Sequence, residues 1–421
     1  MYKLLKGSRI LLLQGPMGPF FWRLKLDLEV SGYDVHKVNF NGGDRHFYHD
    51  HQTIDYRESL EDWPFFLSGI IRDLKIEKIM LFGDNRPLHR AARKVAREMG
   101  VGLMVFEEGY LRPDYITLEP EGVNGYSKMP QQADAFREHS DDLYFQPKHI
   151  KSAFFSAAVY AARYHVACNL ASFRYPEYHH HRSTNLIYES FAWVRSGYRK
   201  LKYKKENRHY LDRLTSKYSK NFFLVPLQVH NDSQLRRHSQ YPSVHAFIQE
   251  VVSSFARRAP SDTRLVIKHH PMDRGYRDYS KLIKKLARQH NVKDRVIYVH
   301  DLHLPTLLKH ACGTVVVNST VGLSSIHHNT PVINLGKAIY DIPGLTYQGL
   351  LRDFWSHQGT VDRKLYQGFR YWLLNNTQFN GNFYRRIPGL DNSCGVQWEE
   401  PVDRPREKLE TNFSLSKKME V

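Results

Sequence analysis

Short apolar, β-branched runs alternate with helical periodicity in two separate blocks of this chain, and no other feature limits its fold so tightly. In the first block the pattern predicts strands at residues 10–13, 33–38, 78–82 and 102–106, with helices at 20–30 and 90–99. The second block repeats the grammar, with strands at 222–226, 264–268, 296–299, 314–317 and 332–335. Helical patterns separate them at 244–258, 279–290, 305–311 and 321–328. Strands joined through helices lie parallel, and parallel sheets need cover on both faces. The 421 residues suffice for two such units. The expected architecture is α/β, with two Rossmann-like units whose parallel sheets face a cleft. Residues 1–210 are expected to form the first unit, including a helical basic connector without clear strands that begins near 148. Residues 211–396 are expected to form the second unit and 397–421 a polar tail.

Sixty-one Lys and Arg against 43 Asp and Glu leave a net charge of +18, before any of the 24 His is protonated. Such an excess points to an anionic partner: nucleic acid, acidic lipid or a phosphorylated substrate. The densest basic run begins at Trp193 and carries Arg199, Lys200, Lys202, Lys204 and Lys205 among aromatic residues. On a helix these cations suit anionic headgroups and the aromatic rings suit a membrane interface. Such mixtures also stack bases, and a solvated basic helix has the same composition. No nucleic-acid module is visible, so nucleic acid is not an expected partner.

Residues 152–173 are the longest apolar-leaning stretch, but Arg163, His165 and Asn169 interrupt it. It is therefore expected in a core or at an interface, not across a bilayer. The apolar run at 9–13 is too short for the core of a signal peptide and reads as the first strand. Cys168, Cys312 and Cys394 lie far apart, which argues against a disulfide framework and fits a reducing cytosol.

Ligands of open α/β sheets bind beyond the carboxyl ends of strands, so polar residues there are the candidates for chemistry. Lys268-His269-His270-Pro271 follows directly on one strand, where Lys268 and His270 could hold a phosphate; a solvated turn is the plainer alternative. Asn318, Ser319 and Thr320 end another strand and open a helix, whose free N–H groups suit an anion, although Ser and Thr cap helices everywhere. Glu107-Glu108-Gly109 sets two carboxylates in different directions at a third strand end. One could be a nucleophile or base and the other an acid or brace, as group transfer at a sugar carbon requires.

Gln14-Gly15-Pro16-Met17-Gly18-Pro19 is no phosphate cradle, because its prolines remove N–H groups; Gln14 and Gly15 are expected to shape the crevice, with Arg112. Gln228, His230 and Asp232 lie at the matching edge of the second unit. No metal is expected. His179-His180-His181 and His269-His270 lack zinc-ligand spacing, and no Asp-x-Asp pair occurs.

These motifs, in this order, resemble the bacterial capsule polysaccharide synthesis family, and within it the β-Kdo transferases that start a lipid-linked capsule anchor. The resemblance rests on Leu13 to Phe21, Phe106 to Arg112, Pro226 to Gln234, Lys268 to Pro271 and Val317 to Leu323, and spans residues 8–350. It implies a GT-B fold with the acceptor on the first unit, and no metal or other cofactor. It implies CMP-β-Kdo held in the second unit by Lys268, His270, Pro271, Gln228, Asn318, Ser319 and Thr320, with Asp232 nearby. Transfer would retain configuration and use a lyso-phosphatidylglycerol acceptor. It would take place at the cytoplasmic face of a Gram-negative inner membrane, with other capsule assembly proteins as candidate partners. Glu108 is the expected nucleophile and Glu107 the fallback; related Kdo transferases carry Asp at the position of Glu108. The alternatives are a transferase for another CMP-sugar, or a non-catalytic assembly or export component that binds anionic lipid or polymer.

Overall fold

The computed structural model describes residues 9–48, 50, 53–137, 147–178 and 186–398. The His179-His180-His181 triplet, the residues before Arg9 and the tail beyond Trp398 lie outside them.

The first sheet contains β1 (Arg9–Leu12), β2 (Asp34–Asn39), β3 (Thr53–Asp55), β4 (Lys78–Phe82), β5 (Gly102–Glu108) and β6 (Tyr115–Pro120). The second contains β7 (Phe222–Pro226), β8 (Arg264–Lys268), β9 (Val296–Val299), β10 (Gly313–Val316) and β11 (Val332–Asn334). All pairs of the second sheet are parallel, in the order β11-β10-β7-β8-β9. β12 (Gln378–Asn380) then returns to the first sheet, giving β12-β6-β5-β4-β1-β2-β3 among the described residues.

Both faces of the first sheet are covered, as buried parallel strands require. Phe20, Leu24, Met104 and Phe106 fill one face; Leu11, Trp63, Ile79 and Val105 fill the other. The helix Phe20–Val30 spans its expected residues and buries Phe20, Phe21, Leu24 and Leu28 at helical spacing. This is the α/β, GT-B-like arrangement of two Rossmann-like sheets. The loop after β5 and the segment after β6 join them, because Tyr110, Met129 and Phe136 share a core with Val316, Leu323 and Tyr340.

Three expectations are corrected. The first sheet is not wholly parallel, since β6 runs antiparallel to both β5 and β12. The expected boundary near 210 falls inside the helix Leu186–Thr215. That helix buries Ala192, Tyr203, Asn207 and Leu214, and Leu214 shares a core with β7 and β8, so the connector covers the second sheet. Residues 378–396 do not stay with the second unit either. Phe383, Cys394, Val396 and Trp398 pack with Phe20 and Phe106, and the Phe383 ring meets Phe20 edge-on at 4.8 Å. Trp398, expected in the tail, is therefore core.

Candidate active site

β5 runs two residues beyond its expected end, through Glu107 and Glu108. Side chains alternate across a strand, so the two carboxylates leave on opposite faces. Gly109 follows because nothing larger fits: a Cβ there would lie 2.1 Å from the Tyr115 carbonyl oxygen. Glu107 accepts the Glu108 N–H at 3.0 Å. Burial, with the negative charges of Glu108 and Asp84 beside it, pushes its carboxyl up to about 7. Burial also raises Glu108, but the guanidinium of Arg112 favours its anion. Burial thus raises both acids, and the Arg112 guanidinium opposes that rise at each of them.

Two buried acids behind this pair carried no motif. Asp84, just past β4, accepts the Val123 N–H at 3.0 Å, and its Oδ1 has no hydrogen-bond partner among the described residues. Glu119 on β6 accepts the Tyr110 hydroxyl at 2.6 Å, and burial pushes it up to about 7. The signal for Asp84 was legible as Gly83-Asp84-Asn85 directly after an apolar strand. Glu119 sits mid-strand and gave none.

A folded-state carboxyl raised to about 7 contributes stability below its ordinary range, and that contribution is lost as pH rises through about 7. The carboxyl ionises near 4.5 when unfolded and near 7 when folded, so the thermal midpoint should fall between about pH 5 and pH 7 and level off above that. Glu107→Gln should shrink that fall without abolishing it, since Glu119 titrates in the same window. An unchanged fall in a calorimetric scan would place the Glu107 carboxyl in ordinary solvent.

The second sheet contributes the ends of β8, β7 and β10, which are neighbours. Lys268 closes β8 and is buried, with no hydrogen-bond or ion-pair partner for its ammonium among the described residues. Burial lowers its pKa, which the Asp301 carboxylate partly opposes and the Arg274 charge reinforces; a bound phosphate would raise it. His270 accepts the Met272 N–H at Nδ1, 3.2 Å away. Burial, Lys268 and Arg112 push this imidazole down to about 4, so at neutral pH it carries one proton, on Nε2, as a donor. Arg112 thus acts on both Glu108 and His270, which links the end of β5 to the end of β8 across the cleft. Pro271 starts the short turn that His270 caps.

Other expected residues spend their polar atoms inside the protein. Gln228 donates to Asp232 and Asn318, each at 2.9 Å, and Asp232 caps the helix Ser233–Arg237. These three hold the β7 and β10 ends together and position the site instead of lining it with free donors. Ser319 accepts the Val321 N–H at 3.2 Å, and its carbonyl accepts the Gly322 N–H. The expected free N–H groups at the start of Val321–His327 are thus partly used, and that helix has only two turns. Thr320 makes no capping bond. Thr320 and Asn318 line a shallow pocket between the units, with Tyr110, Asn124 and Lys337. Gly125 permits this closure, since a Cβ there would lie 2.3 Å from the His238 ring. The sequence also mentioned His230 without its partner: it donates its N–H to the buried Asp273 at 2.8 Å, with Nδ1 2.6 Å from the same carboxylate.

Gln14 points into the first unit, not the inter-sheet cleft. Its amide donates to Asp44, Tyr164 and Tyr178, and it lines a cavity of about 120 Å³ with Phe40, Tyr56, Arg86 and Leu88. The Gly15 carbonyl accepts from Arg86 at 3.4 Å. On the connector, Trp193, Lys200, Lys202, Lys204 and Lys205 are exposed, with Lys202 paired to Glu206 at 3.8 Å. Arg199 differs: it donates to the Arg274 carbonyl at 2.8 Å and so clamps the helix to the second unit.

Residues 77–384 match the family described as "Capsule polysaccharide biosynthesis protein". The chain is 45% identical over 389 residues to the capsule polysaccharide modification protein LipB of Neisseria meningitidis serogroup B, covering 90% of this chain and 93% of that one. It is 43% identical over 381 residues to the capsule polysaccharide export protein KpsS of Escherichia coli, covering 90% and 98%. A solved structure, the β-Kdo 2,7 transferase KpsC of Thermosulfurimonas dismutans, matches at 14% identity over 85% of this chain and 89% of that one, with a TM-score of 0.40. Family match and full-length identity agree: the chain belongs to the capsule polysaccharide biosynthesis family.

Proposed function

We propose that this protein is a retaining glycosyltransferase that moves β-Kdo from CMP-β-Kdo to a lyso-phosphatidylglycerol acceptor, starting a capsule glycolipid. The observation that carries the reading is the placement of a half-buried carboxylate pair at the end of β5 and of the buried Lys268 and half-buried His270 at the end of β8, with Arg112 near enough to influence Glu108 and His270. In this mechanism a Glu108 oxygen attacks the anomeric carbon as its bond to the CMP phosphate breaks. Lys268 and the Nε2–H of His270 stabilise the charge that grows on the departing phosphate. The acceptor hydroxyl then displaces Glu108 from the same carbon and releases its proton to water, while Glu107, on the strand's other face, holds the Glu108 N–H at 3.0 Å. Two inversions give retention.

A donor screen tests the reading. CMP release in the presence of acceptor should be at least about a hundredfold faster with CMP-Kdo than with another CMP-sugar, as expected when a site's buried polar groups are matched to one substrate. Equal rates would favour a transferase of other donor range. Absence of turnover and of CMP binding would favour a non-catalytic role, the sense of the name "export protein" carried by the E. coli relative.

The exposed cations of the connector are proposed to face an anionic membrane surface. Among the described residues no helix is long and apolar enough to cross a membrane. Replacing Arg195, Lys200, Lys202, Lys204 and Lys205 by Gln should weaken binding to phosphatidylglycerol vesicles at least about tenfold, each such charge being worth on the order of 1 kcal/mol. Activity on a short, soluble acceptor should survive. Equal loss on both acceptors would make the run structural.

A further inference from the structure

The helix Phe154–Leu170 is built inside out. Its inward face is the polar one: Tyr164 is buried, donates to Asp44 at 2.8 Å and accepts from Gln14 and Asn41. Cys168, one turn on, donates to Asn41 at 3.2 Å, and Tyr160, one turn back, sets its ring edge-on against Phe47. The outward face is apolar. Phe155 is 79% exposed, Val159 38%, Val166 46% and Leu170 74%. At 100° per residue these four fall within about 60° of arc, a single stripe. Phe154 and Phe173, also exposed, extend it. A helix on the surface of a globular protein ordinarily does the reverse, so this stripe needs a covering partner.

Charge identifies the partner. From residue 148 to 176 the chain has no Asp or Glu, while Lys148, Lys151, Arg163 and Arg174 flank the stripe. Residues 190–205 are likewise free of acids, and Phe191, Val194, Tyr198 and Leu201 are exposed there. An apolar stripe flanked in sequence by basic residues matches acyl chains beneath anionic headgroups.

We propose that Phe154–Leu170 lies in the plane of an anionic lipid bilayer, with Phe155, Val159, Val166 and Leu170 among the acyl chains. Its inner face holds Gln14, and Gln14 lines the first unit's 120 Å³ cavity. The bilayer surface is therefore brought beside that cavity, which deepens the reading of a lipid acceptor and rests on it for its purpose.

The test uses the full chain, without donor or acceptor, and vesicles of phosphatidylglycerol and phosphatidylcholine. Combining Phe155→Ser, Val159→Ser, Val166→Ser and Leu170→Ser should weaken vesicle binding about a hundredfold, since transfer of such side chains from water is worth a few kcal/mol in total. The thermal midpoint should fall only modestly, because Phe155 and Leu170 are mostly exposed and Val159 and Val166 are half-buried. In a Phe155→Trp variant, tryptophan emission should shift to the blue on these vesicles, relative to the parent chain. Binding within about twofold of the parent, or no emission shift, would overturn the proposal. So would loss of self-association in the Ser variant with unchanged vesicle binding, which would make the stripe an interface between copies. Because vesicle binding is read without CMP-Kdo, its failure leaves the transfer reaction standing, and failure of transfer leaves the lipid surface standing.

Discussion

Glu108→Ala should lower turnover by at least about a thousandfold while CMP affinity stays within about twofold of the parent. A nucleophile contributes in the transition state and not to ground-state binding, and losing one from an enzyme that works through a covalent intermediate removes most of the catalysis. Glu108→Gln should fail almost as badly, since the amide keeps the shape but not the charge. Glu107→Gln should be milder, because the amide oxygen can still accept the Glu108 N–H. Reversal of that order would exchange the two roles. Equal, small losses in both would remove the acid pair from the chemistry.

The phosphate end should respond differently. Lys268→Ala and His270→Ala should each weaken CMP binding about ten- to hundredfold, the worth of a charge-assisted hydrogen bond in a partly buried site. They should lower turnover further, since the charge on the departing phosphate exceeds that on the bound donor. His270→Ala should also be insensitive to pH between about 5 and 8, because the native imidazole stays neutral down to about 4. Unchanged CMP affinity by calorimetry in both variants would move the donor elsewhere, with the pocket beside Thr320 and Lys337 the next place to look.

Much of this site was legible because its residues close short apolar strands. β4, β7, β8 and β9 have the expected bounds, and Glu107, Glu108, Lys268 and His270 stand at strand ends as read. What was not legible depends on partners distant in sequence. β12 is three residues long and pairs with a strand some 260 residues earlier, so no local pattern marks it. Asn318, Gln228 and Asp232 have the right residue types for a ligand, yet they bond to one another. Residue type shows what a side chain can donate or accept, not whether the fold has already used it. The helix Phe154–Leu170 makes the same point in reverse: its apolar spacing suggested a core or an interface, and only the contacts of Tyr164 and Cys168 show that the apolar side faces out.

The central claim is transfer of Kdo from CMP-β-Kdo to a phospholipid acceptor, and mass spectrometry of the reaction product tests it most directly. Purified protein, CMP-Kdo and lyso-phosphatidylglycerol should give free CMP and an acceptor heavier by one Kdo residue, joined in the β configuration, and Glu108→Ala should give neither. Intact acceptor and no CMP release, from folded protein offered both substrates on vesicles, would contradict the account.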